Sequence, residues 1–297
     1  MTVAVTIGDR GDDDFVAERP RLLGLAYRIT GSRAEADDVV QDAWLRWQGS
    51  DRDAIVSPPA WLTTVTSRIA LDHLRRAQRS REAYVGPWLP EAASPEPGPD
   101  DRAELAESVT IGFLAVLERL GPVERVVFLL ADIFAVPFDE IAVVVDKTPE
   151  ACRQVASRAR RRVREERPRF TPTDDEAWRV AVAFLTAAAE GDIEAVTALL
   201  APDVVEVSDG GAHHYAGRRP VVGPHRVARL MVNLSARVPP AATVIPRLVN
   251  GQPGAVVLDG DRVVLAVVCS VADGRVDRIW SLVNPDKTAT LDSSPIV

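Results

Sequence analysis

The chain has 297 residues, 46% hydrophobic and 26% charged, a balance that allows two or three domains with real cores and excludes a disordered protein. Its longest apolar runs, Val126 to Ala131 and Val263 to Val271, stop far short of the ~20 residues of a membrane helix, and the opening MTVAVTIGDRGDDDF lacks a basic stretch followed by an apolar one, so a cytoplasmic protein with no membrane partner is expected. The net charge of −8 weighs against a nucleic-acid partner only as a sum, because the arginines cluster along the chain while the acidic residues sit mostly elsewhere.

Phe15 to Gly31 reads as a helix, and Ser32 followed by Glu35 is a capping box opening a second one. In that second helix Ala36, Val39, Val40, Ala43, Trp44 and Trp47 recur at three- and four-residue steps, which sets them on one buried stripe. Asp37, Asp38, Gln41, Asp42 and Leu45 fall on the other side. Such an acidic face with an exposed leucine suits docking of a basic partner helix, although a solvated face has the same pattern.

Pro58 and Pro59 restart a helix at positions where a missing N–H is harmless. Trp61, Leu62, Val65 and Ile69 form its inner face, and Arg68, Asp72, Arg75, Arg76 and Arg79 run along the outer one. The string Tyr84 to Glu91 and the proline-rich acidic stretch after it, with Pro95, Pro97 and Pro99, read as an extended linker. A helical pattern then runs from Asp101 through Leu120. Gly121 and Pro122 break it before Val126, Phe128, Leu129 and Leu130.

A short helix, Phe138 to Val145, a turn ending in Thr148 and Pro149, and a longer basic helix toward Glu166 make a helix-turn-helix candidate. Cys152, Val155, Ala156, Ala159 and Val163 face inward. Glu150, Arg153, Gln154, Ser157, Arg158, Arg161 and Arg162 remain for solvent or DNA: Arg and Gln in the first turns suit base edges, and the later arginines suit phosphates. Any two-helix hairpin can mimic this pattern. Cys152 and Cys269 lack the spacing of a disulfide framework or a zinc site, so both are expected to be reduced core residues, with no metal and no cofactor.

Beyond a second linker, Arg167 to Asp175, the character changes. An amphipathic helix from Glu176 to Glu190 and a short helix to Leu200 precede β-branched segments at Val204 to Val207, Ala242 to Leu248, Ala255 to Leu258, Val263 to Val271 and Val276 to Val283. Turn signals at Asp259-Gly260-Asp261 and Asp273-Gly274 join the last three as hairpins, giving an α+β domain with a curved antiparallel sheet.

GLAYRITGSRAEADDVVQDAWLRW and AWLTTVTSRIALDHLRRAQR resemble region two of the sigma factors, and VERVVFLLADIFAVPFDEIAVVVDKTPEACRQVASRARRRV resembles region four. Region three is missing, which points to the extracytoplasmic-function class. The remainder resembles the cone-shaped SnoaL-like branch of the cystatin-like, NTF2-like fold, on the strings YVGPWLPE, SDGGAHHYAGRRPVVG and NPDK, with Ala212 standing where a third glycine is expected. The resemblance implies a multidomain chain: all-α sigma region two over 1–82, a linker over 83–103, an all-α helix-turn-helix region four over 104–168 and a SnoaL-like α+β domain over 169–297.

It further implies an alternative sigma factor, not an enzyme, that directs promoter-specific initiation. Asp37, Asp38, Gln41, Asp42 and Leu45 would bind core RNA polymerase, at the large-subunit clamp helices, with the flap as a further polymerase contact. Arg68, Arg75, Arg76 and Arg79, with Glu150, Arg153, Gln154, Ser157, Arg158, Arg161 and Arg162, would bind promoter DNA. Tyr84, Gly86, Pro87, Trp88, Leu89 and Pro90 of the linker would meet Asp209, Gly210, Gly211, Asn284, Pro285, Asp286 and Lys287 as interdomain regulatory residues, so that no separate anti-sigma factor is required. Asp209, His213, His214 and Trp280 are the candidates for lining a pocket in the third domain, where a small ligand or a substrate are the alternatives to a purely regulatory role. A helix-turn-helix regulator acting without polymerase is the other competing reading.

Overall fold

The computed structural model describes residues 10–81, 84, 86–93, 110–166, 175–211 and 216–291, without the side chains of 10–12, 79–81 and 166. Its helices α1 (Arg10–Thr30), α2 (Arg33–Gln48), α3 (Pro58–Arg81), α4 (Ile111–Leu117), α5 (Pro122–Phe128), α6 (Phe138–Val145) and α7 (Pro149–Glu166) occupy the first part of the chain. There follow α8 (Asp175–Glu190), α9 (Ile193–Leu199), β1 (Leu200–Asp209), β2 (Val221–Val222) and α10 (Pro224–Ser235), then β3 (Thr243–Val249), β4 (Gln252–Asp259), β5 (Arg262–Ala272), β6 (Arg275–Leu282) and α11 (Pro285–Thr288). No helix among the described residues is long and apolar enough to cross a membrane.

These elements group into two compact units, residues up to 79 with 120–162, and 80–119 with 163 onward. The first unit is all-α. Gly31, at φ 73°, ends α1, and Ser32 Oγ accepts the Glu35 N–H at 3.3 Å to open α2. The buried stripe is Ala36, Val39, Val40, Ala43 and Trp47. Trp47 lies 5.4 Å from Trp61 of α3, and the half-buried Trp44 lies 4.8 Å from Phe15 of α1, ring centre to ring centre. Arg125 of α5, 2% exposed, donates to the Ile29 carbonyl at 3.0 Å. That bond places a guanidinium at the negative end of the α1 dipole and ties two sequence-distant segments into one body.

The α5 helix passes through a π turn at Leu129–Ile133. Asp146, left-handed at φ 54°, closes α6, and Thr148 Oγ1 accepts the Ala151 N–H at 3.2 Å to open α7. Cys152, Ala156 and Ala159 are wholly buried beneath it.

The second unit is built on a six-stranded sheet in the order β2-β1-β6-β5-β4-β3, antiparallel throughout except for the β1–β6 pair. Side chains alternate between its faces. Val204, Cys269 and Ile279 pack with Phe184, Val196, Val227 and Met231 of the helices on one side. Val268, Trp280 and Leu282 pack on the other with Leu89, Ala92, Ile111 and Leu291. Helix α4, which the sequence boundaries assign to 104–168, therefore belongs to this second body: Ile111 is fully buried there, and the Gly112 N–H donates to Gln252 Oε1 at 3.2 Å.

At Gly254 the strands β4 and β5 approach so closely that an added Cβ would lie 2.1 Å from the Val267 carbonyl oxygen. Gly254→Ala must push the two strands apart, and overpacking of this kind destabilises by about 1–3 kcal/mol. A lower denaturant midpoint at unchanged slope is the expected result in equilibrium unfolding of the full chain.

Candidate nucleic-acid interface and linker clasp

Helix α2 turns Asp37, Asp38, Gln41, Asp42 and Leu45 outward, all exposed, with Leu45 at 59%. Asp37 sits between Arg19 at 3.7 Å and Arg33 at 3.6 Å, whereas Asp38 and Asp42 lie on the open side of the helix. The surface combines acidic groups with one large apolar side chain.

On α3, Arg68, Asp72, Arg75 and Arg76 are exposed, and the Arg79 side chain lies outside the described residues. Asp72 organises the row: its carboxylate accepts from Arg75 at 3.3 Å and its carbonyl from Arg76 at 3.2 Å. Arg68 Nη2 donates to the Val143 carbonyl of α6 at 2.6 Å. A cleft of about 510 Å³ opens beside this helix between the Ser50 to Ser57 loop, Trp61, Thr64, Glu140 and Val143.

On α7, Glu150, Arg153, Gln154, Ser157, Arg158, Arg161 and Arg162 all point to solvent. Arg153 stacks over the Phe138 ring, 5.6 Å from its centre, which steadies a side chain that would otherwise sample many rotamers. Arg160 pairs with Asp132 at 2.8 Å and Arg162 with Glu124 at 2.6 Å. Arg162 is therefore tied to α5, unlike its exposed neighbours Arg158 and Arg161.

Tyr84 and Leu89 converge on the end of β1. Tyr84 Oη donates to Asp209 Oδ1 and the Leu89 N–H to Asp209 Oδ2 at 2.7 Å, while the Gly211 N–H reaches Oδ1 at 3.1 Å. Asp209 is wholly buried. Its carbonyl also accepts the N–H groups of Val283 and Asn284. Burial, followed by the Asp209 carboxylate, pushes the Tyr84 hydroxyl well above its ordinary range, so this group stays a proton donor.

Asn284 Nδ2 donates to Tyr84 Oη at 3.0 Å. Gly211 is left-handed at φ 61°, and a Cβ there would lie 2.9 Å from Asn284 Nδ2, so glycine alone fits without displacement. Lys287 Nζ lies 3.5 Å from the centre of the Trp88 ring, and its carbonyl accepts the Ala92 N–H at 2.8 Å. Gly86 is left-handed at φ 89°. Pro87 and Pro285 are half-buried, Pro90 and Gly210 are buried, and Asp286 stays exposed at the surface. Asn250 closes the far end, its Oδ1 accepting the Ala93 N–H at 2.8 Å; nothing in the sequence singled it out.

Of the candidates for lining a third-domain pocket, Asp209 and Trp280 fall among the described residues. Asp209 is engaged with Tyr84 and Leu89, and Trp280 lies on the linker-covered face of the sheet, because odd and even positions of β6 face opposite ways. His213 and His214 lie outside the described residues.

Known proteins match along the same lines. The family model for Sigma-70 region 2 covers residues 15–80, and that for Sigma-70, region 4 covers 112–163. The ECF RNA polymerase sigma factor SigJ of Mycobacterium tuberculosis is 40% identical over 287 residues, 92% of each chain. A probable ECF RNA polymerase sigma factor, SigI of the same organism, is 33% identical over 93% of each. The crystal structure of M. tuberculosis SigJ superposes with a TM-score of 0.74 at 37% identity, covering 96% of this chain and all of that one. Two sigma regions in order, full-length similarity and a shared fold lead to one conclusion: the chain belongs to the extracytoplasmic-function sigma factors, transcription initiation factors rather than enzymes that work with core RNA polymerase on promoter DNA, and it carries a C-terminal α+β domain built on a six-stranded sheet.

Proposed function

We propose that this sigma factor is controlled by its own C-terminal domain, which holds the linker between regions two and four through Asp209. The observation that carries this reading is the buried Asp209 carboxylate, which accepts hydrogen bonds from Tyr84 and Leu89 of the linker. The linker is thus part of the fold of the C-terminal domain, and its path between the two regions is set by that domain. A separate anti-sigma factor is not required for such control. The functional divisions 1–82, 83–103, 104–168 and 169–297 are kept as the sequence suggests them.

In this reading Asp38, Gln41, Asp42 and Leu45, with Asp37 at the edge, dock on the clamp helices of the polymerase large subunit. Exposed acidic groups around an apolar centre suit a basic helical partner. Arg75 and Arg76, with Arg68 and Arg79, serve the downstream promoter element, and Glu150, Arg153, Gln154, Ser157, Arg158, Arg161 and Arg162 the upstream one. Arginines neutralise phosphates and release counterions, and the first turns of α7 read base edges. Arg68 can join only after its bond to the Val143 carbonyl breaks, and Arg162 only after leaving Glu124.

The docking assignment is tested by pull-down of core polymerase. Wild-type chain is expected to retain it, and the double variant Asp38→Arg, Asp42→Arg to lose it while keeping its helical circular dichroism; equal retention by both would remove α2 from the interface. The DNA assignment is tested by open-complex formation on a promoter series. Arg153→Ala should weaken binding by about 1–3 kcal/mol and relax preference at one upstream position, whereas Arg161→Ala should weaken all promoters alike and flatten the salt dependence.

A further inference from the structure

The charges of the C-terminal domain are unevenly spread. Between Asp209 and Asp259 the chain holds no acidic residue, although 43 of its 297 residues are acidic, and every cationic side chain in that span apart from histidine is an arginine. Helix α10 and the turn after it gather three of them. Val227, Ala228 and Met231 bury the inner face of α10 in the core between helices and sheet. That turns Arg226, Arg229 and Asn233 to solvent, and the exposed Arg237 follows in the turn that ends the helix. At steps of three and four residues these four side chains fall on one stripe.

Neither helix stability nor solvation accounts for this row. Arg226 lies in the first turn of α10, which has no acidic residue, and the helix dipole makes a cation there unfavourable. Arg226, Arg229 and Arg237 make no ion pair with any described residue, and the exposed Glu194 of the neighbouring α9 is no exception. Like charges one turn apart repel. In a chain of net charge −8, acidic side chains would keep the surface soluble equally well.

We infer that the outer face of α10 is an accessory contact for the phosphate backbone of DNA, supplied by the C-terminal domain in addition to α3 and α7. Guanidinium groups take phosphate oxygens two at a time, which an ammonium cannot do. From Arg226 to Arg237 the row is about 16 Å long at ~1.5 Å per residue, roughly half a turn of duplex, and Asn233 within it is a further donor to a phosphate oxygen. The stripe has no aromatic or large aliphatic anchor of the kind that a protein partner needs at the centre of an interface. Phosphate contacts carry no sequence information, so the stripe adds affinity on any duplex and leaves promoter choice to the sigma regions.

The test follows binding of the full-length chain to short duplexes, promoter and scrambled in parallel, by fluorescence anisotropy over a salt series. The triple variant Arg226→Gln, Arg229→Gln, Arg237→Gln is expected to lose about tenfold or more in affinity on both duplexes, and its salt slope to flatten by about 2–3. The variant Arg226→Lys, Arg229→Lys, Arg237→Lys keeps the charge and is expected to keep the slope. Should the glutamine variant fail to fold by circular dichroism, Arg229→Gln alone decides, with a slope change of about 1. Arg161→Ala in the same titration reports on α7 separately, so failure of that assignment is told apart from failure of this one. Wild-type affinity and slope in a folded glutamine variant overturn the inference. So does a variant that loses core-polymerase retention at unchanged DNA affinity, which would assign the stripe to a protein partner.

Discussion

One buried carboxylate ties the C-terminal domain together. Asp209 stands at the end of β1 and takes hydrogen bonds from a linker hydroxyl, a linker amide and the amide of its own loop, while its carbonyl takes two more from the segment after β6. A buried charge is tolerated only when it is fully bonded in this way. The corollary is that Tyr84 and Leu89 are required partners, so the linker is as much a member of this fold as any strand. Once Leu89 and Ala92 lie on the sheet, they and Ile111 complete an apolar layer over Trp280 and Leu282. Trp88 then receives the Lys287 ammonium, and the left-handed Gly211 leaves room for Asn284.

The helical unit solves a different problem, that of a chain of net charge −8 which must bind nucleic acid. Rows of arginines line the outer faces of α3 and α7, and α2 turns an acidic face, Asp37, Asp38 and Asp42, to solvent. Several arginines are held by neighbours, Arg153 by Phe138 and Arg162 by Glu124. Exposed pairs of this kind add little stability. Their effect is to limit where the guanidinium groups can be, which favours binding in one register over binding anywhere.

Much of this was legible in the residues. The Ala36 to Trp47 stripe, the Ser32 cap and the outward row from Glu150 to Arg162 follow helical spacing closely, because each helix is covered on one side only. The hairpins after β4 and β5 were likewise marked by their turns. Helix α10, Pro224–Ser235, was missed, although Gly223-Pro224 is a fair opening for a helix. Its apolar stripe of Val227, Ala228 and Met231 is short and broken by arginines. The burial of Glu206 was hidden for another reason. In Val204-Val205-Glu206-Val207-Ser208 the polar positions read as the solvent side of a half-buried strand, yet both faces of β1 are covered, one by helices and the other by the linker. The membership of α4 in the second unit could not be read from its own sequence, since its burial depends on a sheet that begins about a hundred residues later.

The most direct test of self-control through the linker is transcription from a cognate promoter by core polymerase with either wild-type chain or Asp209→Ala, at matched polymerase binding. Asp209→Ala removes the acceptor for three donors at once and should free the linker from the domain, with a cooperative unfolding transition retained. The account predicts a transcript level that departs clearly from wild type. An unchanged level from a folded variant whose linker has become sensitive to protease near Tyr84 would contradict it, because the clasp would then be open without consequence for initiation.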